Sequence, residues 1–402
     1  MINKIKNIII KKNLDGYLVP KNDKYFTEYS KISNLELVSN FSGSAGFAII
    51  LRNKNYLFVD GRYTIQAKKQ SGKKFKIFEI PLIWPRNIFD SYKNKLNIGF
   101  DPKLFTYNSL KHYFSNTCYL TPVNEELFYK KNNKSFNTNK FYSLDKKITG
   151  ESSKSKINRA VKILNKKKID YLFVSSGENV CWLMNIRGKD LPNSPVANCN
   201  IILTKNRKIY FFSKMSKISK IKNKLINQKI FFYEEEKLFE ILRSLKPGSF
   251  CIDKQTCSIF NEEIIKSNFL IKHRTDFIYY LKSIKNKTEI KNMMKAHIED
   301  GVALTKFLYW IKTLKKLNLT EQKVEKKLEN FRKQNKNYLY PSFDTIAGTG
   351  PNGAIIHYRS NKQSNRKINK NDLLLIDSGG QYKWGTTDVT RTICFSKVSK
   401  KI

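Results

Sequence analysis

The sequence predicts a mixed α/β protein: two tandem copies of one α/β unit, then a unit of different construction. Three observations carry this. Short apolar runs alternate with helical stretches through roughly the first 280 residues, the pattern of an α/β unit with a parallel or mixed sheet. Asn13-Leu-Asp-Gly-Tyr-Leu-Val19 is echoed by Lys168-Ile-Asp-Tyr-Leu-Phe-Val174, and Asn97-Ile-Gly-Phe-Asp101 by Ser249-Phe-Cys-Ile-Asp253. Internal similarity of this kind fixes architecture early. From about residue 281 the apolar spacing changes to that of a long helix followed by Gly-bearing strands.

Composition bounds the function. With 402 residues, 40% hydrophobic and 13% aromatic, the chain can bury cores for two to three domains. A net charge of +43 raises the question of a polyanion partner. Lys is scattered from end to end beside Ile and Asn, as in Lys4-Ile5-Lys6-Asn7-Ile8, rather than gathered in one block. That pattern predicts solvated faces and no specific nucleic-acid site. The six cysteines form no Cys-x-x-Cys pair, which fits free buried thiols in a reducing compartment. The N-terminal apolar run, Ile8 to Ile10, is too short for a signal peptide, and no stretch approaches the roughly 20 apolar residues of a membrane span. A cytoplasmic protein without membrane attachment is expected.

Residues 1–148 make the first unit. A short helix leads to a strand at Tyr17–Val19, and the Gly/Ser turn Phe41 to Phe47 leads to strands at Ala48–Leu51 and Tyr56–Val59. A helix from Thr64 to Gln70 and strands at Phe75–Ile80 and Asn97–Phe100 follow. The polar stretch Asn132 to Ser143 reads as a linker. Residues 149–281 make the second copy, in which a helix at Trp182 runs into an Arg-Gly turn and Pro192 and Pro195 stop any continuation. In residues 282–402 the segment Thr288 to Lys315 places Ile290, Met293, Met294, Ile298, Val302, Leu304 and Leu308 at helical spacing. A second helix starts at Thr320 as N-cap.

The last unit ends in a hairpin. The apolar run Leu373–Ile376, the glycines Gly379, Gly380 and Gly385, and the β-branched run Val389–Phe395 read as two strands and a loop. A turn centred between Tyr382 and Lys383 sets Asp377 directly opposite Asp388. Facing Cβ atoms on an antiparallel pair are about 4.5–5.5 Å apart, and like charges there repel. Two such carboxylates favour a cation between them, and hard oxygen ligands suit Mg²⁺, Mn²⁺ or a borderline ion. Two metals about 3.5–4 Å apart would fit the same clamp. The bland alternative is that Asp377 orders the turn and Asp388 pairs with Arg391.

Six motifs appear in one order along nearly the whole chain: Asn40-Phe-Ser-Gly-Ser-Ala-Gly46, Asp60-Gly-Arg-Tyr63, Trp182-Leu-Met-Asn-Ile-Arg-Gly188, Lys285-Asn-Lys-Thr-Glu289, Pro341-Ser-Phe-Asp-Thr-Ile346 with Gly350 to Tyr358, and Asp377 to Thr392. In this order they resemble the cytosolic-type Xaa-Pro aminopeptidases, three-domain pita-bread metallopeptidases related to methionine aminopeptidase, prolidase and creatinase. The resemblance implies two tandem creatinase-N-terminal-like α/β domains, then the first half of a pita-bread catalytic domain. It implies a centre of two divalent ions, usually manganese, with Asp377 as a terminal and Asp388 as a bridging ligand. His357 would contact the peptide near the scissile bond and Phe343 would help wall the pocket. The implied reaction is release of the residue preceding proline from a peptide N-terminus, by attack of a metal-activated hydroxide on the scissile carbonyl, in a homodimer.

The resemblance also implies a His and two Glu as further ligands and a second pocket histidine, none of which occurs before Ile402. Of the four histidines, His112 and His273 lie in the N-terminal units, and His297 reads as a packing or surface residue. Residues 1–402 alone are therefore expected to be inactive. The alternative class is a non-catalytic binding module that keeps the recognition domains. Prolidase-type relatives fit less well because they carry one N-terminal unit.

Overall fold

The computed structural model describes residues 1–27, 33–125, 127, 139–225 and 229–396. The chain divides into two compact units, residues 1–145 with 151–284, and residues 146–150 with 285–402. Among the described residues no helix is long and apolar enough to cross a membrane.

The first unit holds two six-stranded sheets. One contains β1 (Gly16–Pro20), β2 (Phe47–Leu51), β3 (Asn55–Asp60), β4 (Lys76–Ile80), β5 (Asn97–Phe100) and β6 (Tyr119–Pro122), in the order β4-β3-β2-β1-β5-β6. After the short β7 (Tyr142–Ser143) come β8 (Tyr171–Val174), β9 (Ile186–Arg187), β10 (Asn200–Thr204), β11 (Ile209–Phe212), β12 (Ile230–Tyr233), β13 (Ser249–Ile252) and β14 (Leu270–His273). The second sheet runs β12-β11-β10-β8-β13-β14. Each central hairpin is antiparallel and each flanking pair parallel, in the same positions of both sheets. The sequence echo is therefore a structural duplication.

Its details repeat as well. Asp15 accepts from the Asn97 amide at 2.8 Å, as Asp170 does from the Ser249 amide at 2.8 Å. These aspartates tie the start of the central strand to its parallel neighbour in each copy. The second copy's Ile259 amide donates to the Phe105 carbonyl at 2.9 Å, and Ile259 is buried in the first copy's core. Of the stretch read as a linker, residues 132–138 lie outside the described residues. The rest is anchored: Phe141 is fully buried in the second copy's core and β7 pairs with β9.

The second unit begins with a long helix, Lys287–Lys312, whose N-cap Asn286 accepts from the Thr288 and Glu289 amides. A second helix, Glu321–Lys333, is capped by Thr320 as expected. The strands are β15 (Tyr338–Pro341), β16 (Ile346–Thr349), β17 (Leu373–Ser378), β18 (Gly380–Tyr382), β19 (Gly385–Thr386) and β20 (Val389–Cys394), in two sheets ordered β16-β17-β20 and β15-β18-β19. Both helices close over the β16-β17-β20 sheet through Leu304, Phe307, Ile311, Val324 and Leu328 against Leu374, Ile376 and Ile393. The long helix buries Ala296, Asp300, Ala303, Leu304, Phe307 and Ile311. Ile290, Met293, Met294, Ile298 and Val302, read from spacing as a core stripe, are exposed instead.

Candidate metal centre

The expected hairpin is present, but it turns one residue later than spacing suggested. Tyr382 pairs with Gly385 and Gln381 with Thr386, so Lys383 and Trp384 form the turn. The physical cause is Gly385, where a Cβ would lie 2.8 Å from the Cβ of Ala296. Only a bare backbone lets that strand lie against the long helix, and this contact sets the register. Asp377 consequently faces Thr390, not Asp388. Asp388 becomes the diagonal neighbour, a separation of about 7–8 Å between backbones that carboxylate side chains span.

The two carboxylates do meet. Asp377 accepts from the Thr390 hydroxyl at 2.7 Å. The Asp388 carboxyl is held above its ordinary value, first by partial withdrawal from water, then by the charge of Asp377 and a hydrogen bond shared with it. The residue as a whole remains exposed, so only its carboxyl end is shielded. Two mutually repelling oxygen-donor groups on one open sheet face are the donor set a hard divalent cation relieves. Asp377 and Asp388 fit such an ion. Among the described residues no third His, Cys, Asp or Glu joins them. Arg391 donates to the Thr390 carbonyl oxygen rather than serving Asp388.

The hairpin changes sheets between Ser378 and Gly380, and side chains replace the interrupted ladder there. Ser342 donates through its amide to Gly379 O at 3.1 Å and through its hydroxyl to Thr387 O at 2.8 Å. A Cβ on Gly379 would lie 2.0 Å from that Thr387 oxygen, so this position requires glycine. Phe343 follows Ser342 directly and is half-buried in the segment entering β16, whose first residue, Ile346, pairs with Asp377. Phe343 is thus brought to the carboxylate end of the sheet by its chain neighbours.

His357 belongs to the segment leaving the other end of β16. It is half-buried and takes a left-handed φ of 56°. The adjacent Tyr358 donates its hydroxyl to Glu321 at 2.8 Å. Glu321, fully buried, also accepts from the Thr349 amide, the Asn352 side chain and the Arg366 amide. His297 is exposed on the long helix, its Nδ1 at 3.0 Å from the Met293 carbonyl oxygen.

Sequence reasoning missed Glu321 and the buried set Asp300, Arg332, Ser378 and Tyr382. Asp300 did carry a signal. It falls in register with Ala296, Leu304, Phe307 and Ile311, and an acid in the middle of an apolar helical stripe needs a partner.

A duplicated α/β unit ahead of a helix pair that covers a split hairpin with paired carboxylates defines a class. Residues 1–127 and 132–289 each match the Creatinase/Prolidase N-terminal domain, and residues 291–402 match Metallopeptidase family M24. The chain is 33% identical to a probable Xaa-Pro aminopeptidase P of Laccaria bicolor, over 97% of this chain and 63% of that protein. It is 32% identical to Xaa-Pro aminopeptidase 1 of Dictyostelium discoideum, over 98% of this chain and 67% of that one. The X-prolyl aminopeptidase of Caenorhabditis elegans, described as a cytosolic enzyme with a di-nuclear active site, superposes with a TM-score of 0.88 at 26% identity, over 96% of this chain and 67% of that one. The chain belongs to the Xaa-Pro aminopeptidase family, and it spans about two thirds of the length of these relatives.

Proposed function

We propose that the protein is a metal-dependent aminopeptidase that releases the first residue from peptides with proline second. The observation that carries this reading is the register that sets Asp377 opposite Thr390 and so makes Asp388 its diagonal neighbour on one sheet face. Family membership and the di-nuclear active site of the Caenorhabditis elegans relative support it. Asp377 and Asp388 are the ligands this chain contributes, and manganese is the metal we assign. Two divalent ions at such a centre supply Lewis acidity toward a carbonyl and an activated water. His357 contacts the peptide near the scissile bond, and Phe343 forms part of the wall that receives the proline ring. Thr390, bonded to Asp377, keeps one carboxylate oxygen oriented. We further place the protein in the cytoplasm as a homodimer, in line with the cytosolic relative and with five buried free cysteines.

A chain carrying this sequence and spanning the full length of its relatives, supplied with Mn²⁺, should release arginine from Arg-Pro-Pro. Asp377→Asn and Asp388→Asn should each abolish that release while leaving the circular dichroism spectrum unchanged. Full activity in Asp377→Asn would end the reading. Residues 1–402 by themselves should show no hydrolysis, because two carboxylates that no third His, Cys, Asp or Glu joins among the described residues hold a transition metal weakly. Turnover by that chain would overturn this point.

A further inference from the structure

We propose that Arg332, gripped by Asp300, is a positioning residue that aims Asp377 at its metal. The inference rests on reading Asp377 and Asp388 as metal ligands. Arg332 lies at the end of helix Glu321–Lys333 and is 1% exposed. The chain has 76 Lys and Arg, and among the described residues only Lys156 is as deeply buried. A charge is withdrawn from water at high cost unless it is paired and fully hydrogen-bonded. Arg332 is paired, and its forked edge is hydrogen-bonded: Nε donates to Asp300 Oδ1 at 2.7 Å and Nη2 to Asp300 Oδ2 at 3.1 Å. Nη2 also donates to Ser378 Oγ at 3.1 Å, and the Tyr382 hydroxyl donates to Asp300 Oδ1 at 2.8 Å.

The ion pair therefore grips the hairpin on both sides of its crossover, at Ser378 in β17 and at Tyr382 in β18. Fold stability does not account for it, because apolar residues of similar volume replace a buried ion pair at little loss or even a gain. Its location does. The ladder between β17 and β20 ends at Ser378 with Val389, and the one between β18 and β19 starts at Gln381 with Thr386. Between them the strand passes from one sheet to the other at Gly379, held by the Ser342 amide at its carbonyl oxygen, and the Arg332 contact to Ser378 sits directly before that passage. Successive side chains on a strand point to opposite faces. Holding Ser378 Oγ toward the helices thus holds the Asp377 carboxylate toward the open face, where Asp388 meets it.

The test measures Mn²⁺ binding to residues 1–402 by water-proton relaxation, alongside urea unfolding. Four chains are compared: the native sequence, Asp377→Asn, Ser378→Ala, and the double variant Asp300→Leu with Arg332→Met. The double variant removes one charge of each sign, so the net charge near the site is unchanged. It is expected to unfold at or above the native urea midpoint and to bind Mn²⁺ about tenfold more weakly, the scale of losing an orienting partner behind a ligand. Ser378→Ala should show a smaller loss in the same direction. If the double variant does not fold, Arg332→Lys decides by the same readout, since an ammonium cannot reproduce the forked contact to Asp300 and Ser378. Native Mn²⁺ affinity in the variant that decides, with loss in Asp377→Asn, would overturn the positioning role alone. Equal binding by the native chain and Asp377→Asn would overturn the ligand reading itself.

Discussion

Asp276 sits 3% exposed at the head of helix Phe277–Ser283, accepting from the Ile278 amide at 2.9 Å and from Asn179 Nδ2 at 2.8 Å. Its own amide donates to Asp253, another buried carboxylate. Burial, above all, pushes its pKa up to about 6, and the charge of Asp253 adds to that; the Asn179 bond and the Ile278 amide pull the other way. The folded value lies above the unfolded one, so the native state keeps its proton where the unfolded chain has already ionised. The stability this provides is complete below about pH 4 and lost as pH rises to about 6, roughly 3 kcal/mol at 1.36 kcal/mol per pH unit. Asp276→Asn should remove the dependence. Asn179 Oδ1 is buried without a hydrogen-bond partner, and turning that amide over presents it to the new side-chain NH₂. The variant should match the native protein near pH 4 and exceed it in urea midpoint at pH 7; parallel pH profiles would refute the assignment. Glu321 is a second case. Glu321→Gln puts an NH₂ where one of four donors now points, and should lower unit stability by roughly 1–3 kcal/mol, read by urea unfolding.

The helix Lys287–Lys312 carries two apolar faces, and only one is buried. Phe307→Ala should cost about 3–5 kcal/mol, whereas Ile298→Lys, on a residue 69% exposed, should change stability by less than about 0.5 kcal/mol. Urea midpoints for both would check this; a large loss in Ile298→Lys would mean that the outer face is covered in solution. The same helix shows what sequence periodicity can and cannot tell. Its start, length and helical period follow from Asn286, Glu289 and the apolar spacing, all local information. Which apolar face turns inward depends on Leu374, Ile376 and Ile393, about 70 to 90 positions away. The alternating strands and the duplicated Asp15 and Asp170 positions were legible because each is fixed by neighbours within a few residues or by its own repeat. Hairpin register was not, since Gly385 reads as a turn residue until the backbone of the long helix is set against it. The carboxylate pair was legible as a pair, because a shift of two in register keeps both on one face. Arg332 and Glu321 were hidden for the opposite reason: their meaning lies entirely in partners brought from other elements. The left-handed turn at His357 gave no local sign, since it is held through Tyr358 by Glu321.

Charge acts at the scale of the whole chain. With 76 basic and 33 acidic side chains, repulsion among like charges outweighs attraction between unlike ones. The ion pairs do not reverse this, because most have at least one exposed side chain, both in Lys237 with Glu240 and Lys266 with Glu263, and such pairs contribute little. A compact state holding this charge repels itself, and the unfolded chain relieves that by spreading. Added salt shortens the screening length from about 30 Å at 0.01 M to about 8 Å at 0.15 M. It should therefore weaken repulsion across the fold more than attraction within close pairs. The melting temperature should rise between these two salt concentrations, the reverse of a protein held together by surface pairs. The same screening sets the response to polyanions. Lysines distributed over solvated faces bind heparin or duplex DNA only through counterion release, which falls steeply with salt. Heparin binding at 0.01 M should be lost by 0.15 M NaCl, over the range in which the melting temperature climbs. The two measurements together separate general charge from a dedicated site. A polyanion complex that survived physiological salt with sequence preference would show that some of these lysines are organised for a partner.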